Sequence, residues 1–290
     1  MAARPGNHYR GVALLGWMES DQAAQFLTEE CVFDPPLTAS CAESLWREYR
    51  ERAAGLQPRE ACGPRQMPLT EPDQEHAQRF LAFFKSMGIQ NVQVIKVDPM
   101  QLVVAQYSIA TDLAEGYADG CASDAGWMKE ALPTASMNPN LEVRFTRKNL
   151  DTEIDIDLPH AEFIFGVHAH GGFGPKELLN HVMVMNVGNR MLLGKGYHRL
   201  YARVSHNRSV APYRSVLVAL DPSTLVPPSS EGAGAGRASD PGLGVFGRRP
   251  ALFGDYFQDG LFMPVNLRRK RFQLQVRAKW VALYDDRCAS

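Results

Sequence analysis

Between Gly188 and Ala202 the chain reads Gly-Asn-Arg-Met-Leu-Leu-Gly-Lys-Gly-Tyr-His-Arg-Leu-Tyr-Ala. A short apolar strand runs into a glycine-bounded turn, and the turn opens a helix. Helix N-termini present unpaired amides and a partial positive charge, which suits an anion. Gly194 and Gly196 let a phosphate approach the backbone closely. Lys195 is a point charge at the same spot, and Arg199 is capable of a bidentate grip on a phosphate. His198 is the candidate catalytic group. The competing expectation is that His198 and Arg199 cap and pair within the fold, with Leu200, Tyr201 and Val204 in the core.

A second constellation is Phe165-Gly166-Val167-His168-Ala169-His170-Gly171-Gly172, with Glu177 and His181 behind it. Alternate residues of a strand face the same way. His168 and His170 are therefore expected to reach one metal, and His181 or Glu177 would complete an open site for Zn or Fe. The alternative is two histidines at a strand end, bonded to glycine-loop backbone. Upstream, Glu153, Asp155 and Asp157 alternate with Ile154, Ile156 and Leu158. Such a row binds Mg beside a nucleotide or forms a solvated strand face. Arg268-Arg269-Lys270-Arg271, near Phe272 and Trp280, is a basic run suited to an acidic partner or to protecting an edge strand.

The order strand, glycine turn, Gly196-Tyr197-His198-Arg199, helix, then Ser215-Val216-Leu217-Val218-Ala219-Leu220 resembles the ParB/sulfiredoxin superfamily. The resemblance is confined to residues 175–220. It implies a ParB-like site in which Gly194, Lys195, Gly196 and Arg199 hold nucleotide phosphates, with Mg as companion ion and a nucleotidase or phosphotransferase as the activity class. Sulfiredoxins carry cysteine at the second position of the box; Tyr197 stands there, which argues against that reaction. Lys195 also replaces the acidic residue often found before the glycine.

The elements needed to position these residues are legible in outline. Ser40-Cys41-Ala42-Glu43 has the form of a capping box, followed by Leu45, Tyr49, Ala53 and Leu56 at helical spacing. Thr70, Pro72 and Asp73 start a second helix carrying His76, Phe80, Phe83, Phe84 and Met87, with Gly88 as its stop. Val92–Val97 alternates as a strand, Asp98-Pro99 ends it, and Leu102–Tyr107 is the next strand. Short helices are expected at Asp112–Ala118 and Asp124–Leu132. Strands are expected at Leu141–Phe145, Thr152–Leu158, Glu162–Val167, Val182–Asn186 and Met191–Leu193. A helical turn is expected at Glu177–His181, a helix over Tyr197–Ser205 and a strand over Tyr213–Leu220. Phe272 to Trp280 alternates as a one-sided strand expected to pack on the main sheet.

The fold class is therefore α+β: a helical N-terminal region packed on a mixed β-sheet that contains the ParB-like strand-turn-helix segment. Residues 1–90 form the helical region, 91–220 the α/β region with the candidate phosphate site, 221–250 a flexible Pro/Gly/Ser-rich loop, and 251–290 a C-terminal strand segment.

Composition narrows the function classes. With 290 residues, 45% hydrophobic and 22% charged, the chain is ordinary globular material. Net charge is −1 and the pI about 6.7, which argues against nucleic acid held mainly through phosphates. Five widely spaced cysteines contain no CxxC pair, which fits reduced thiols and a cytoplasmic location. Val12–Met18 is too short for a signal segment, and no apolar window reaches membrane-spanning length. GxSxG and Walker A motifs are absent. Three readings stay open: a ParB-like phosphate or nucleotide-binding protein, a metal-dependent enzyme using the HxH site, and a non-catalytic adaptor. The adaptor would bind a protein partner through 222–250 or the basic C-terminal strand.

Overall fold

The computed structural model describes residues 8–57, 66–86, 90–134, 142–148, 151–158, 181–207, 215–225, 243–269 and 272–278. In chain order the elements are β1 (His8–Ala13), α1 (Ser20–Gln25), α2 (Ala39–Ala54), α3 (Glu71–Ser86), β2 (Gln93–Val97), β3 (Val103–Val104), β4 (Ser108–Ala110), α4 (Thr111–Glu115), α5 (Ala118–Cys121), α6 (Asp124–Ala131), β5 (Glu142–Lys148), β6 (Asp151–Leu158), β7 (Met183–Val187), β8 (Arg190–Lys195), α7 (Tyr197–Asn207), β9 (Val216–Leu225), β10 (Met263–Arg268) and β11 (Phe272–Ala278). The fold is α+β, as expected. The chain divides into two compact units, residues 1–135 with 179–268, and residues 136–178 with 269–290.

The larger unit holds a five-stranded mixed sheet in the order β2-β9-β7-β8-β3. β7 and β8 form an antiparallel hairpin, and β9 returns parallel to β7 after α7. The hairpin turn is Gly188-Asn189, with Gly188 at φ +60°; glycine is what a tight turn of the II′ kind takes at its first central position. A second, antiparallel sheet runs β10-β1-β4. β1 lies inside the stretch expected to be helical. Its Gly-flanked apolar run takes the strand form because β10 and β4 pair with it on either side.

Most of the core lies between the five-stranded sheet and its helices. Phe80, Phe84, Ile95, Val97, Trp127, Val184, Leu193, Leu200 and Val218 belong to one contiguous buried cluster. α3 obeys its sequence signals closely. Thr70 N donates to Asp73 Oδ2 at 2.9 Å, and Asp73 N donates to Thr70 Oγ1 at 3.4 Å, so the pair caps the helix start. His76, Ala77, Phe80 and Phe84 then form its buried stripe. The cap of α2 is Thr38, whose Oγ1 accepts from Cys41 N at 3.3 Å. Ser40 is inside the helix, two residues past the true cap.

Asp73 ties α3 to β2 through Lys96 Nζ, 2.8 Å from Oδ2. Burial pushes the Asp73 carboxyl up, but the hydrogen bonds from Lys96 and Thr70 outweigh it and hold the group below the usual carboxylate range. A depressed folded value gives stability above the unfolded carboxylate pKa of about 3.9 that is lost as pH falls through the folded value. Urea unfolding from pH 6 down to about 3 is expected to show a flatter pH slope in Asp73→Asn than in wild type. Identical slopes would remove Asp73 as a source of acid sensitivity.

The smaller unit contains the antiparallel sheet β11-β6-β5. The final strand, expected on the main sheet, pairs instead with β6. Alternation identifies a strand but not its partner. The register sets Arg144 opposite Asp155 and Arg277 opposite Glu153.

Candidate functional site

The strand-turn-helix unit is present where the sequence places it. At the end of β8 the pairing passes from Val184↔Leu193 to Met183↔Lys195, so Gly194 is the extra residue of a β-bulge. Bulges bend a strand and re-aim the residues after them, and they concentrate beside functional sites. Gly194 is exposed and Lys195 half-buried. The methyl groups of Met185 and Met183 lie 3.1 and 3.3 Å from where a Gly194 Cβ would stand, so thioethers crowd one side of the bulge.

Gly196 then turns the chain into α7 with φ +92°, and its carbonyl accepts the first helical bond, from Leu200 N at 2.9 Å. A Cβ there would lie 2.6 Å from Val182 Cγ2 and 3.0 Å from Val182 Cα. Backbone conformation and packing both demand glycine. As helix cap it offers no side-chain oxygen to the first-turn amides.

Tyr197, His198 and Arg199 enter the interior. The Tyr197 hydroxyl donates to Leu193 O at 2.7 Å and accepts from Ala105 N at 3.1 Å and Gln106 N at 3.3 Å. It joins β8 to the segment after β3, and burial pushes its pKa up. His198 is 4% exposed, and its Nε2 accepts from Ala110 N at 3.3 Å. Arg199 is 1% exposed, with Nε 3.8 Å from Glu130 Oε2 and its guanidinium carbon 5.1 Å from the centre of the Tyr117 ring. Arg203, one turn on, donates from Nη1 to Cys121 O at 2.8 Å and Ala122 O at 3.0 Å, and from Nη2 to Asp124. That places a cation on the C-terminal carbonyls of α5.

The candidate phosphate residues therefore separate into two sets. Gly194, Lys195 and Gly196 form the turn, while His198 and Arg199 are engaged with Ala110, Glu130 and Tyr117 inside the fold. Sequence reasoning assigns both sets to one ligand because cations beside a glycine turn resemble an anion site. The countersignal is the acidic pair Asp124 and Glu130 on the neighbouring helix α6. Arg203, which sequence reasoning misses, belongs with them.

His168 and His170 lie outside the described residues, as do Glu177, Lys270 and Arg271. His181 packs within the core, its ring edge-on to Phe84 at a centroid distance of 4.9 Å and 6.1 Å from Phe80. Among the described residues no group of three His, Cys, Asp or Glu side chains is arranged to hold a metal. Cys31, Cys41 and Cys121 are free thiols. Burial pushes Cys31 up to about 12 and Cys121 to about 11, which suppresses their nucleophilic forms. No helix among the described residues is long and apolar enough to cross a membrane. No family model, curated protein or solved structure matches the chain.

Proposed function

We propose that the Gly194–Gly196 turn and the start of α7 bind a phosphate-bearing small molecule of the nucleotide class, in the manner the ParB-like resemblance implies. One observation carries the reading. A bulged glycine and a left-handed glycine bracket Lys195 at the N-terminus of an 11-residue helix. Lys195 supplies the charge, and the helix start supplies backbone donors. His198 and Arg199 are positioning residues: through Ala110 N and Glu130 they hold the first turn of α7 against β4 and α6.

Isothermal titration with ATP, AMP, adenosine and inorganic phosphate tests the proposal. The phosphorylated ligands are expected to bind more tightly than adenosine. Lys195→Gln is expected to weaken them about tenfold or more, the worth of a charge-assisted hydrogen bond. Adenosine binding as well as AMP, or unchanged affinity in Lys195→Gln, would defeat the reading.

A second reading, a non-catalytic interaction protein, has one observation behind it. Phe246 is 45% exposed, the one large hydrophobic residue so exposed among those described. It sits on a turn closed by Gly247 N to Gly244 O at 2.7 Å, and Arg190 Nη1 holds the turn through Gly247 O at 2.6 Å. Aromatic side chains displayed on fixed backbone are frequent interface anchors.

A further inference from the structure

The chain contains two Asp-Gly steps, Asp119-Gly120 and Asp259-Gly260. Their surroundings differ in the respect that governs the chemistry of such steps. Asp259 and Gly260 are both exposed. They are the central residues of a turn in which Leu261 N donates to Gln258 O at 3.1 Å, with Gly260 at φ +82°, as a type II turn requires. Nothing lies within 4 Å of the position a Gly260 Cβ would take. Gly260 is thus exposed and unobstructed on the side where a side chain would stand. Asp119-Gly120 lies within α5, where Cys121 N bonds Tyr117 O at 2.9 Å. There the space beside Gly120 is filled, with Glu130 Oε1 2.6 Å from its Cβ position.

We propose that Asp259 is a site of spontaneous isomerisation to isoaspartate. The Gly260 nitrogen attacks the Asp259 side-chain carbonyl carbon, Cγ. The new N–Cγ bond forms as the amide proton and the carboxyl hydroxyl leave together as water, giving a five-membered succinimide. Water then adds to one of its two carbonyls. Breaking N–Cγ restores aspartate; breaking the bond from nitrogen to the main-chain carbonyl leaves isoaspartate, with the backbone routed through Cβ and Cγ. Nothing is oxidised or reduced, and the final mass equals the starting mass. The product lengthens a turn that feeds β10 and whose Gly260 carbonyl accepts from Arg52 Nη1 of α2 at 3.3 Å. It also creates the substrate class of carboxyl-methylating repair enzymes, which act on the exposed α-carboxylate of isoaspartate.

The test is to age the folded protein at 37 °C and pH 6–7.4, digest it, and locate isoaspartate by electron-transfer fragmentation, with methyl incorporation by an isoaspartyl methyltransferase as a second readout. Isoaspartate is expected at 259 in about tenfold excess over 119, the suppression that the need for local helix opening imposes on the helical step. Asp259→Ser is expected to abolish most of the methylation signal. In urea the two sites are expected to react comparably, because unfolding removes the difference in surroundings. Equal accumulation at 119 and 259 in the folded protein would overturn the proposal. So would a methylation signal unchanged in Asp259→Ser, or no product at 259 under conditions where the unfolded chain reacts.

Discussion

Replacing Asp255 with asparagine is expected to destabilise the fold by about 3–5 kcal/mol, the usual cost of leaving one partner of a buried ion pair alone. The Arg249 and Asp255 side chains are only 6% and 4% exposed, with Nη2 2.6 Å from Oδ1 and Nη1 3.0 Å from Oδ2. Asp255 Oδ2 also accepts from Leu252 N at 2.7 Å, and Arg249 Nη1 donates to Pro250 O at 2.6 Å. Arg249 further stacks its guanidinium 5.5 Å from the Trp17 ring centre, while its carbonyl accepts from Trp17 Nε1 at 3.1 Å. The pair therefore pins the segment before β10 to the turn after β1. Arg249→Met should lose a comparable amount. The double variant Arg249→Met/Asp255→Leu should recover much of it, since apolar replacements remove both charges together. Urea unfolding of the four proteins decides the matter. Single variants that lose less than about 1 kcal/mol would mean that the pair behaves as a surface contact.

Gly196→Ala is expected to lose about 2–4 kcal/mol, from a left-handed backbone carrying a side chain and from collision with Val182. Gly188→Ala separates the two causes. Gly188 also has a positive φ, +60°, but nothing lies within 4 Å of its Cβ position. It should lose only the conformational part, about 1–2 kcal/mol. If both variants unfold at the same urea concentration, the contact with Val182 does not constrain the turn. Nucleotide titration of Gly196→Ala, at a temperature where it stays folded, would then report on the turn itself.

The elements that the sequence specifies well share a physical trait: local chemistry is enough. α3 has its cap at Thr70 and Asp73, and α7 begins at the Gly196 break; the apolar run Val216–Leu220 marks β9, although the strand continues through Pro222 to Leu225, into residues expected as loop. The elements it specifies poorly depend on distant residues. β1 is a strand because residues 108–110 and 263–268 lie against it on either side. The cap of α2 is easily misplaced because Thr38 and Ser40 are both hydroxyl residues at the start of the same helix, and their hydroxyls stand 3.1 Å apart. In α7 the apolar positions are legible, yet His198, Arg199 and Arg203 are buried as well. A helix covered on most sides turns its polar residues toward other backbone, and only the tertiary partners Ala110, Cys121, Ala122 and Glu130 reveal that.

The pairing of β1 with β10 also has a meaning during synthesis. His8 stands opposite Arg268, so one edge of the first strand waits for 260 further residues before its partner leaves the ribosome. At roughly 5–20 residues per second that is about 13–50 seconds. β4 arrives much earlier and covers the other edge, with Gly11 opposite Ala110. A nascent chain would therefore carry a two-stranded ribbon with one unsatisfied row of amides and carbonyls for most of its translation. That row is the kind of edge that recruits a stray strand or a holding chaperone, until the C-terminal segment closes it.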